Sequence, residues 1–367
     1  MHVPLVDLRA AQAEILDEIR GDVDDVLSSA GFVGGPHVAG FEEEYAQLCG
    51  TQHCVGVANG TDAVEIALRA VGVGPGDEVV LPANTFVATA EAVARIGARS
   101  VLVDVDPDHL LIDPAQLGAV TTERTRAIAP VHLYGQLAPM GAVLEHADRL
   151  GLPVVEDAAQ SQGATQDGRV SGSLGRMAAT SFYPGKNLGA AGDAGAVTTD
   201  DDDLARTARL LGAHGSLTKY VHEVVGFNSR LDAIQAVVLR AKLRRLQRWN
   251  ACRREAAERY ASLLDGLPVT LPAVAPGNEH VWHLYVIQVD ERDRVLSALH
   301  EAGVGAGIHY PEPVHLTRAF ADLGYGRGDF PVTEAAADRI LSLPIYPHIT
   351  PAQQEHVAQS LADALGA

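Results

Sequence analysis

The sequence predicts an α/β fold in which helices cover a mostly parallel β-sheet, followed by a smaller α+β domain. Short apolar runs alternate with segments of helical apolar spacing through the first half of the chain. Connections of this length form right-handed βαβ units, whose strands are parallel and buried on both faces. A long helical pattern at 230–264 follows, and it leads into a strand and two helices. We therefore expect a large domain at 1–250, with residues 1–15 packing on a small domain at 251–367.

The strands of the large domain are predicted where a short apolar run ends near glycine, proline or an acidic residue. They cover 53–60, 77–83, 98–106, 126–135 and 152–159. The helices between them are predicted where apolar residues recur every three or four positions. They cover 61–73, 84–97 and 140–151. Two further strands, 179–185 and 195–200, enclose a glycine-rich turn.

The second half of the chain is predicted to be mostly helical. The pattern at 230–264 has no internal cap signal, so it forms either one helix that bridges the two domains or two helices in succession. The acidic run Asp200–Asp203 is expected to cap a helix N-terminus, where negative charge is favourable. The small domain holds a predicted strand at 283–289 and predicted helices at 292–303 and 351–367.

Composition and charge limit the classes of function open to the chain. Its 367 residues carry 28 Lys and Arg against 47 Asp and Glu, a formal net charge of −19. This negative charge would repel nucleic acid and anionic membranes, so neither is expected as a partner. Cys49, Cys54 and Cys252 lack metal-ligand spacing, which predicts reduced thiols and no metal site. No signal-peptide pattern and no apolar run of about 18 residues occurs, so the expected location is the cytoplasm.

The segment "VANGTDAV" (57–64) predicts a phosphate-binding turn. A buried strand ends at Gly60, and Thr61 and Asp62 open a helix. Free backbone N–H groups at a helix N-terminus attract an anion, and glycine allows that anion to approach the backbone. Thr61 adds a hydroxyl donor. A plain capped turn between strand and helix is the alternative interpretation of these residues.

Two charged residues, Asp157 and Lys186, lie beside apolar runs that are predicted to be buried, whereas most charged residues lie on the surface. Asp157 ends the apolar run of "LPVVEDAA" (152–159), at the carboxyl edge of a parallel sheet, where ligands bind in open α/β folds. A buried carboxylate there needs a partner such as a protonated ring nitrogen, and capping of a following helix is the alternative. Lys186 lies in "PGKNLGAAGDAG" (184–195), between two apolar strands. Burial lowers a lysine pKa and enables Schiff-base formation, and a solvated loop lysine is the alternative.

A phosphate site, a carboxylate for a ring nitrogen and an amine for an aldehyde match the three groups of pyridoxal 5′-phosphate (PLP). Asp157 would keep the pyridine nitrogen protonated, so that the ring accepts electrons as the substrate Cα–H bond breaks. Lys186, once displaced from the aldehyde, would move the proton. Phe86 follows a predicted strand at the same edge and would cover the ring, with a core phenylalanine as the alternative. Together these residues predict a PLP enzyme.

Motifs along almost the whole chain resemble one known family. They include "FVGGPHVAGFEEEYA", "GVANGTDAVEIAL", "GDEVVLPANTFVATAEAV", "VVEDAAQSQGA", "SFYPGKNLGAAGDAGAV", "GFNSRLDAIQAVVL" and "IHYPEPVHL". The chain is similar to the PLP-dependent sugar aminotransferases of the DegT/DnrJ/StrS group, which have the aspartate-aminotransferase-like fold type I. The resemblance implies a homodimer with shared active sites. A related dehydratase branch has histidine in place of the Schiff-base lysine, and Lys186 disfavours that branch.

The resemblance also implies roles for individual residues. Lys186 would hold PLP as a Schiff base, and Asp157 would pair with the pyridine nitrogen. The other implied cofactor contacts are Gly60, Thr61 and Ser181 at the phosphate, Phe86 on the ring, Gln160 near its 3-hydroxyl, and Asn228 reaching the phosphate from the neighbouring subunit. The implied substrate contacts are Tyr183, Lys219, His309, Tyr310 and His315.

The motifs "SFYPGKNLGA" and "FNSRLD" resemble those of family members that aminate the 3-position of a keto-sugar. The implied reaction moves an amino group, with L-glutamate as the expected donor, onto a dTDP-linked 3-keto-6-deoxyhexose in deoxyaminosugar and antibiotic biosynthesis. A 4-keto-sugar or UDP-sugar aminotransferase and a PLP-binding regulator without turnover are the alternatives. A dinucleotide-dependent oxidoreductase is disfavoured because no G-x-G-x-x-G follows an early strand.

Overall fold

The computed structural model describes residues 1–367 and contains twelve β-strands. In chain order they are β1 His53–Val57, β2 Glu78–Pro82, β3 Arg99–Val103, β4 Thr125–Ile128, β5 Val155–Asp157, β6 Thr165–Gln166, β7 Arg169–Val170, β8 Met177–Ser181, β9 Gly195–Thr199, β10 Asn278–Glu279, β11 Tyr285–Gln288 and β12 Ile340–Leu343.

Seven of these strands form a central sheet that is mostly parallel, as predicted. One row of strands has the order β3-β2-β4, and a second has the order β5-β8-β9-β1. Parallel bridges between Ile128 and Val154 and between Val131 and Asp157 join β4 to β5, which makes the two rows one sheet. Only β9 runs antiparallel to its neighbours in this sheet. The reason is that no crossover helix separates β8 from β9, so the chain returns directly alongside β8.

Twelve α-helices surround this sheet and build the C-terminal region. In chain order they are α1 Leu8–Ala13, α2 Leu16–Ser29, α3 Pro36–Cys49, α4 Gly60–Ala70, α5 Val87–Ile96, α6 Leu117–Val120, α7 Met140–Leu150, α8 Asp202–Gly212, α9 Ala233–Leu263, α10 Arg292–Glu301, α11 Pro331–Arg339 and α12 Pro351–Leu365. Four short 3₁₀ segments occur at Pro114–Gln116, Leu133–Gly135, Val314–Leu316 and Arg318–Leu323. Asp201 caps α8, as its acidic run predicts. No helix combines the length and the apolar character that a bilayer span requires.

Alternation along the strands divides their side chains between two buried faces. On β2, Val79 and Leu81 pack in one core cluster with residues of α4, α5 and α8. Val80, between them, packs in a second cluster with residues of α7. Helices therefore cover both faces, which leaves the edges of the sheet for ligands. The carboxyl ends of β1, β2 and β5 meet at one such edge.

Helix α9 is a single 31-residue helix, which decides between the two interpretations of 230–264. It contains no glycine or proline, so nothing interrupts its backbone hydrogen bonds. Leu246 packs in a cluster with Leu188, whereas Ala256 packs in a separate core built with β11, β12, α10 and α12. Val3 belongs to this second core as well. The helix thus passes from one hydrophobic core into another.

Candidate active site

A cavity of about 670 Å³ lies at the carboxyl edge of the central sheet. The turns after β1, β2 and β5, the turn between β8 and β9, and parts of the C-terminal region form its wall. Ten of the residues predicted from the sequence line it, namely Gly60, Thr61, Phe86, Asp157, Gln160, Ser181, Tyr183, Lys186, His309 and Tyr310. Residues that are remote in the sequence therefore meet in one cavity.

The N-terminus of α4 opens onto this cavity with the features of an anion site. Asn59 caps the helix, and its Oδ1 accepts a 2.8 Å hydrogen bond from the Asp62 amide. The amides of Gly60 and Thr61 have no acceptor within the helix, because they precede its first intrahelical bonds. A Cβ atom at Gly60 would lie 2.5 Å from the Cβ of Ser181, so glycine is needed for Ser181 to approach. Backbone amides, a hydroxyl and the helix dipole are thus available together, which suits a phosphate.

Asp157 is 7% exposed at the end of β5, and two donors hold its carboxylate. Oδ2 accepts a 2.7 Å hydrogen bond from the hydroxyl of Thr89, and Oδ1 accepts a 3.1 Å bond from the Ala159 amide. The hydroxyls of Thr89 and Thr85 lie 2.9 Å apart. No helix begins in the turn after Asp157, so the helix-capping alternative does not apply. The carboxylate keeps lone pairs for a cationic partner in the cavity.

Replacing Thr89 with valine is expected to raise the dissociation constant of PLP roughly tenfold or more. Valine keeps the shape of the side chain but removes a hydrogen bond to a charged group, which is worth about 1.5–3 kcal/mol. Absorbance titration of the apoprotein with PLP measures the constant. Thr89→Ser keeps the hydroxyl and is the matched control. Equal affinities for the valine and serine variants would show that Thr89 does not orient Asp157.

The chain between β8 and β9, residues 182–194, forms a tight turn that we call the lysine turn. A Cβ atom at Gly189 would collide with the carbonyl oxygen of Pro184, so the two arms of the turn approach closely only with glycine here. The Ala190 amide donates a 2.8 Å hydrogen bond to the carbonyl of Phe182 and closes the turn. The small residues of this motif therefore serve close packing.

Lys186 lines the cavity from the lysine turn, and its amine has no hydrogen-bond partner in the chain. Burial lowers the pKa of Lys186 to about 8, although the Asp157 carboxylate opposes this shift. At pH 7 about one amine in ten is then neutral, compared with fewer than about one in a thousand for an exposed lysine. This environment differs from that of a solvated loop lysine, and it favours attack on an aldehyde.

The attachment of PLP to the apoprotein is expected to accelerate about tenfold per pH unit below pH 8 and to level off above it. A lysine attacks an aldehyde only as the neutral amine, and burial lowers the pKa of Lys186 to about 8. Stopped-flow absorbance from about pH 6 to about pH 9.5 measures this profile. A rate constant that still climbs tenfold per unit at the upper end would indicate a lysine with an ordinary pKa.

Phe86 and Tyr310 form an aromatic wall of the cavity. Phe86 is 48% exposed, and its ring centroid lies 5.0 Å from that of Tyr310. A core phenylalanine would be buried, so that alternative does not fit Phe86. Gln160 donates a 3.1 Å hydrogen bond to the Tyr310 hydroxyl and accepts a 2.7 Å bond from the Tyr134 amide. This network holds an aromatic surface on which a planar ring can stack.

Two of the predicted residues lie outside the cavity of the single chain, on its surface. Lys219 and Asn228 belong to the segment 214–228 that follows α8, and both are exposed. The amine of Lys219 lies 5.0 Å from the ring centroid of Tyr220. Within one chain neither residue approaches the lysine turn closely enough to line the cavity.

The structure also does not bring His315 to the cavity. His315 is 2% exposed, and its Nε2 lies 3.0 Å from a carboxylate oxygen of Glu334. Its ring packs edge-on against Phe330. The adjacent Val314 belongs to the core that covers the central sheet, which anchors this segment in the interior. His315 is therefore held in the interior and does not line the cavity of this chain.

Several cavity residues were missed by the sequence analysis. Thr85, Asp193 and His283 line the cavity, and Thr89 supports it from behind. The spacing of Thr85 and Thr89 could have been a signal, because residues four positions apart share one side of a helical turn. His283 lies in a segment whose pattern predicts only a strand, so no signal in the sequence indicated it.

The cavity fits PLP group by group. The N-terminus of α4 and Ser181 suit the phosphate, Asp157 suits a protonated ring nitrogen, Lys186 suits the aldehyde, and the aromatic wall suits the ring. The sheet topology and these residues together define the class of the protein, a PLP-dependent enzyme of fold type I.

Comparison with known proteins identifies the family. The chain belongs to the DegT/DnrJ/EryC1/StrS aminotransferase family, whose model matches residues 13–362. It is 46% identical, over 98% of its length and 96% of the relative's, to the dTDP-3-amino-3,4,6-trideoxy-alpha-D-glucose transaminase of Streptomyces venezuelae. It is 48% identical, over 98% of its length and 99% of the relative's, to the erythromycin biosynthesis sensory transduction protein EryC1 of Saccharopolyspora erythraea.

A solved structure agrees with this assignment. The crystal structure of S. venezuelae DesV in complex with a ketimine intermediate matches with a TM-score of 0.96 and 46% identity, covering 99% of this chain and 98% of that one. The predicted fold type, cofactor and reaction class are confirmed, and the protein is a PLP-dependent aminotransferase.

Proposed function

We propose that the protein transfers an amino group from L-glutamate to the 3-keto carbon of a dTDP-linked 6-deoxyhexose. The observation that carries the proposal is the meeting of the Lys186 amine and the Asp157 carboxylate in one cavity beside the N-terminus of α4. A relative named as a dTDP-aminosugar transaminase supports the nucleotide and the ring position. The proposed location is the cytoplasm, since all three cysteines are free thiols.

Lys186 and Asp157 perform the chemical steps. When bound, PLP supplies an electron sink for the electron pair that is left as a substrate C–H bond breaks. The neutral amine of Lys186 would hold PLP at its aldehyde until the amine of the donor takes its place. Lys186 Nζ would then move the proton from the donor Cα to the cofactor side, and water would release the 2-keto acid. Asp157 holds a proton on the ring nitrogen throughout, and the keto-sugar reacts with the same residues in the reverse order.

The other cavity residues bind and orient the reactants. Gly60, Thr61 and Ser181 hold the phosphate, Phe86 covers the ring, and Gln160 lies near the 3-hydroxyl. The sugar contacts are Tyr183, His309 and Tyr310. Tyr183 is 59% exposed at the mouth of the cavity, which suits a substrate with a long nucleotide portion that extends towards solvent.

The active unit is proposed to be a homodimer with shared sites. The segment 214–228 holds Lys219 and Asn228 away from the cavity of its own chain. It also exposes a group of apolar side chains, namely Leu217, Tyr220, Val221, Val224 and Val225. Val225 is 96% exposed, and an exposed apolar patch of this kind is typical of a protein interface. A second copy covers this patch, so that Asn228 contacts the phosphate and Lys219 the nucleotide sugar in the partner's site.

Mixed dimers test the sharing of sites. Lys186→Ala and Asn228→Asp subunits are each expected to be inactive alone, the latter because a carboxylate repels the phosphate. A one-to-one mixture should recover about one quarter of the wild-type activity, because half of the dimers are hybrids with one intact site each. A mixture no more active than its parents, or a monomer in light scattering, would contradict the proposal.

A PLP-binding regulator without turnover is the second candidate, favoured by the identity to a protein named for sensory transduction. The two candidates differ in their response to L-glutamate. On addition of L-glutamate, we expect the absorbance of protein-bound PLP to disappear and one equivalent of 2-ketoglutarate to be released per site. Unchanged spectra with glutamate and with other amino donors would favour the regulator.

The ring position and the nucleotide are tested by the binding of products. Among dTDP- and UDP-linked 3-amino and 4-amino sugars, the dTDP-3-amino sugar is expected to bind the PLP-loaded protein most tightly. A crystal structure of that complex then shows whether the 3-amino nitrogen lies beside Lys186. Tighter binding of a 4-amino sugar or a UDP-sugar would move the proposal to those alternatives.

A further inference from the structure

His283 lies in the wall of the cavity with Lys186, and a chain of buried amides stands behind it. Its Nδ1 is 3.2 Å from Oδ1 of Asn187, the residue that follows Lys186 in the lysine turn. Asn187 and Asn250 are 5% and 3% exposed, so water does not compete for their hydrogen bonds. The side chain of His283 is therefore held from one side only, and its other ring nitrogen is left for the cavity.

The amide chain fixes which nitrogen of His283 carries the hydrogen. Asn250 Nδ2 donates a 2.9 Å hydrogen bond to the Gln162 carbonyl, so its other atom, Oδ1, is an acceptor. Asn187 Nδ2 donates to that oxygen at 2.9 Å and to the Val281 carbonyl at 2.8 Å. The remaining Asn187 atom is Oδ1, which accepts only. His283 Nδ1 is therefore the N–H donor, and Nε2 of the neutral ring carries a lone pair.

The surroundings keep the His283 ring neutral. Burial lowers the pKa of His283 well below its ordinary value, and the positive charge of Lys186 is the next cause. Arg253, His309 and His280 act in the same direction. The ring thus remains an acceptor at neutral pH, and it cannot compete with Lys186 for a proton.

The Lys186 amine carries N–H donors that have no acceptor in the chain. It lines the same cavity as His283, and its positive charge lowers the pKa of His283. We propose that His283 is a positioning residue for Lys186. The two groups are not hydrogen-bonded in this structure, and a rotation of the Lys186 side chain within the shared cavity brings its amine to Nε2 of His283 when the amine is not bonded to PLP. An amine held in this way returns to the reacting carbon in one orientation, which favours proton transfer. The proton transfer that His283 would assist rests on the proposed function.

The first test uses the apoprotein and no substrate. His283→Phe keeps a flat ring and removes the acceptor, so the ammonium form of Lys186 loses a hydrogen bond. The pKa of Lys186, read from the pH profile of PLP attachment, is then expected to fall by about half a unit to one unit. His283→Gln places an amide oxygen near the former Nε2 and should restore most of the wild-type value. An unchanged or raised pKa in the phenylalanine variant would overturn the proposal.

The second test uses the PLP-loaded enzyme and L-glutamate. In His283→Phe the rate constant of the half-reaction should fall roughly 10- to 100-fold, with an increased isotope effect from 2-deuteroglutamate. The apparent KM for glutamate should change less than about twofold, because ground-state binding is retained. A higher KM together with lower PLP affinity and lower thermal stability, none of them restored in His283→Gln, would mean a structural role. If wild type attaches PLP but does not exchange with glutamate, the proposed function fails while the first test still decides on His283.

Discussion

The Lys186→Ala variant is expected to lose transaminase activity by at least about 10⁴-fold, the upper range for loss of a positioned proton-transfer group. In the proposed mechanism, the variant lacks both the amine that holds PLP and the base that moves the substrate proton. Single-turnover absorbance with L-glutamate measures the loss. The expected protein still binds PLP through its phosphate and ring contacts, so the product should be the aminated cofactor formed very slowly.

Lys242 provides a matched control for this substitution. Burial also lowers the pKa of Lys242 to about 8, yet its amine donates a 2.7 Å hydrogen bond to the Gly189 carbonyl and does not line the large cavity. Lys242→Met is expected to reduce stability while the specific activity of folded protein stays within a few-fold of wild type. Comparable activity in the Lys186 and Lys242 variants would contradict the assignment, because position in the cavity would then make no difference.

The Asp157→Asn variant is expected to show the second largest effect, a loss of roughly 10²–10³-fold in the rate of the glutamate half-reaction. Asparagine has the shape of aspartate but no negative charge, so the ring nitrogen no longer stays protonated and accepts electrons poorly. Stopped-flow absorbance separates this rate from PLP binding. Asp193→Asn makes the same chemical change at an exposed position of the same cavity and is expected to have a small effect. Equal losses in both variants would indicate a general charge effect.

Local sequence patterns were sufficient to predict the site residues whose positions follow from the order and direction of the strands. Gly60 and Asp157 could be placed at one sheet edge because parallel strands carry their carboxyl ends together. Lys186 could be singled out because a solvated surface lysine does not require a glycine-rich turn between two apolar strands. These inferences need only the order of elements, and the structure brings the three residues into one cavity.

Side-chain packing between distant segments could not be predicted in the same way. Thr89 supports Asp157 from helix α5, and His283 depends on two buried asparagines whose partners are backbone carbonyls far along the chain. The interior position of His315 depends on packing around Phe330. The passage of α9 from one core to another is likewise set by packing, because the helix itself contains no break.

The most direct measurement of the central claim is the position of the covalent bond to PLP. The chain contains three lysines, Lys186, Lys219 and Lys242, so borohydride reduction of the PLP-loaded protein followed by peptide mass spectrometry gives an unambiguous answer. We predict a pyridoxyl label on Lys186 alone, lost in Lys186→Ala. A label on Lys219 or Lys242, or an unlabelled protein at saturating PLP, would contradict the account.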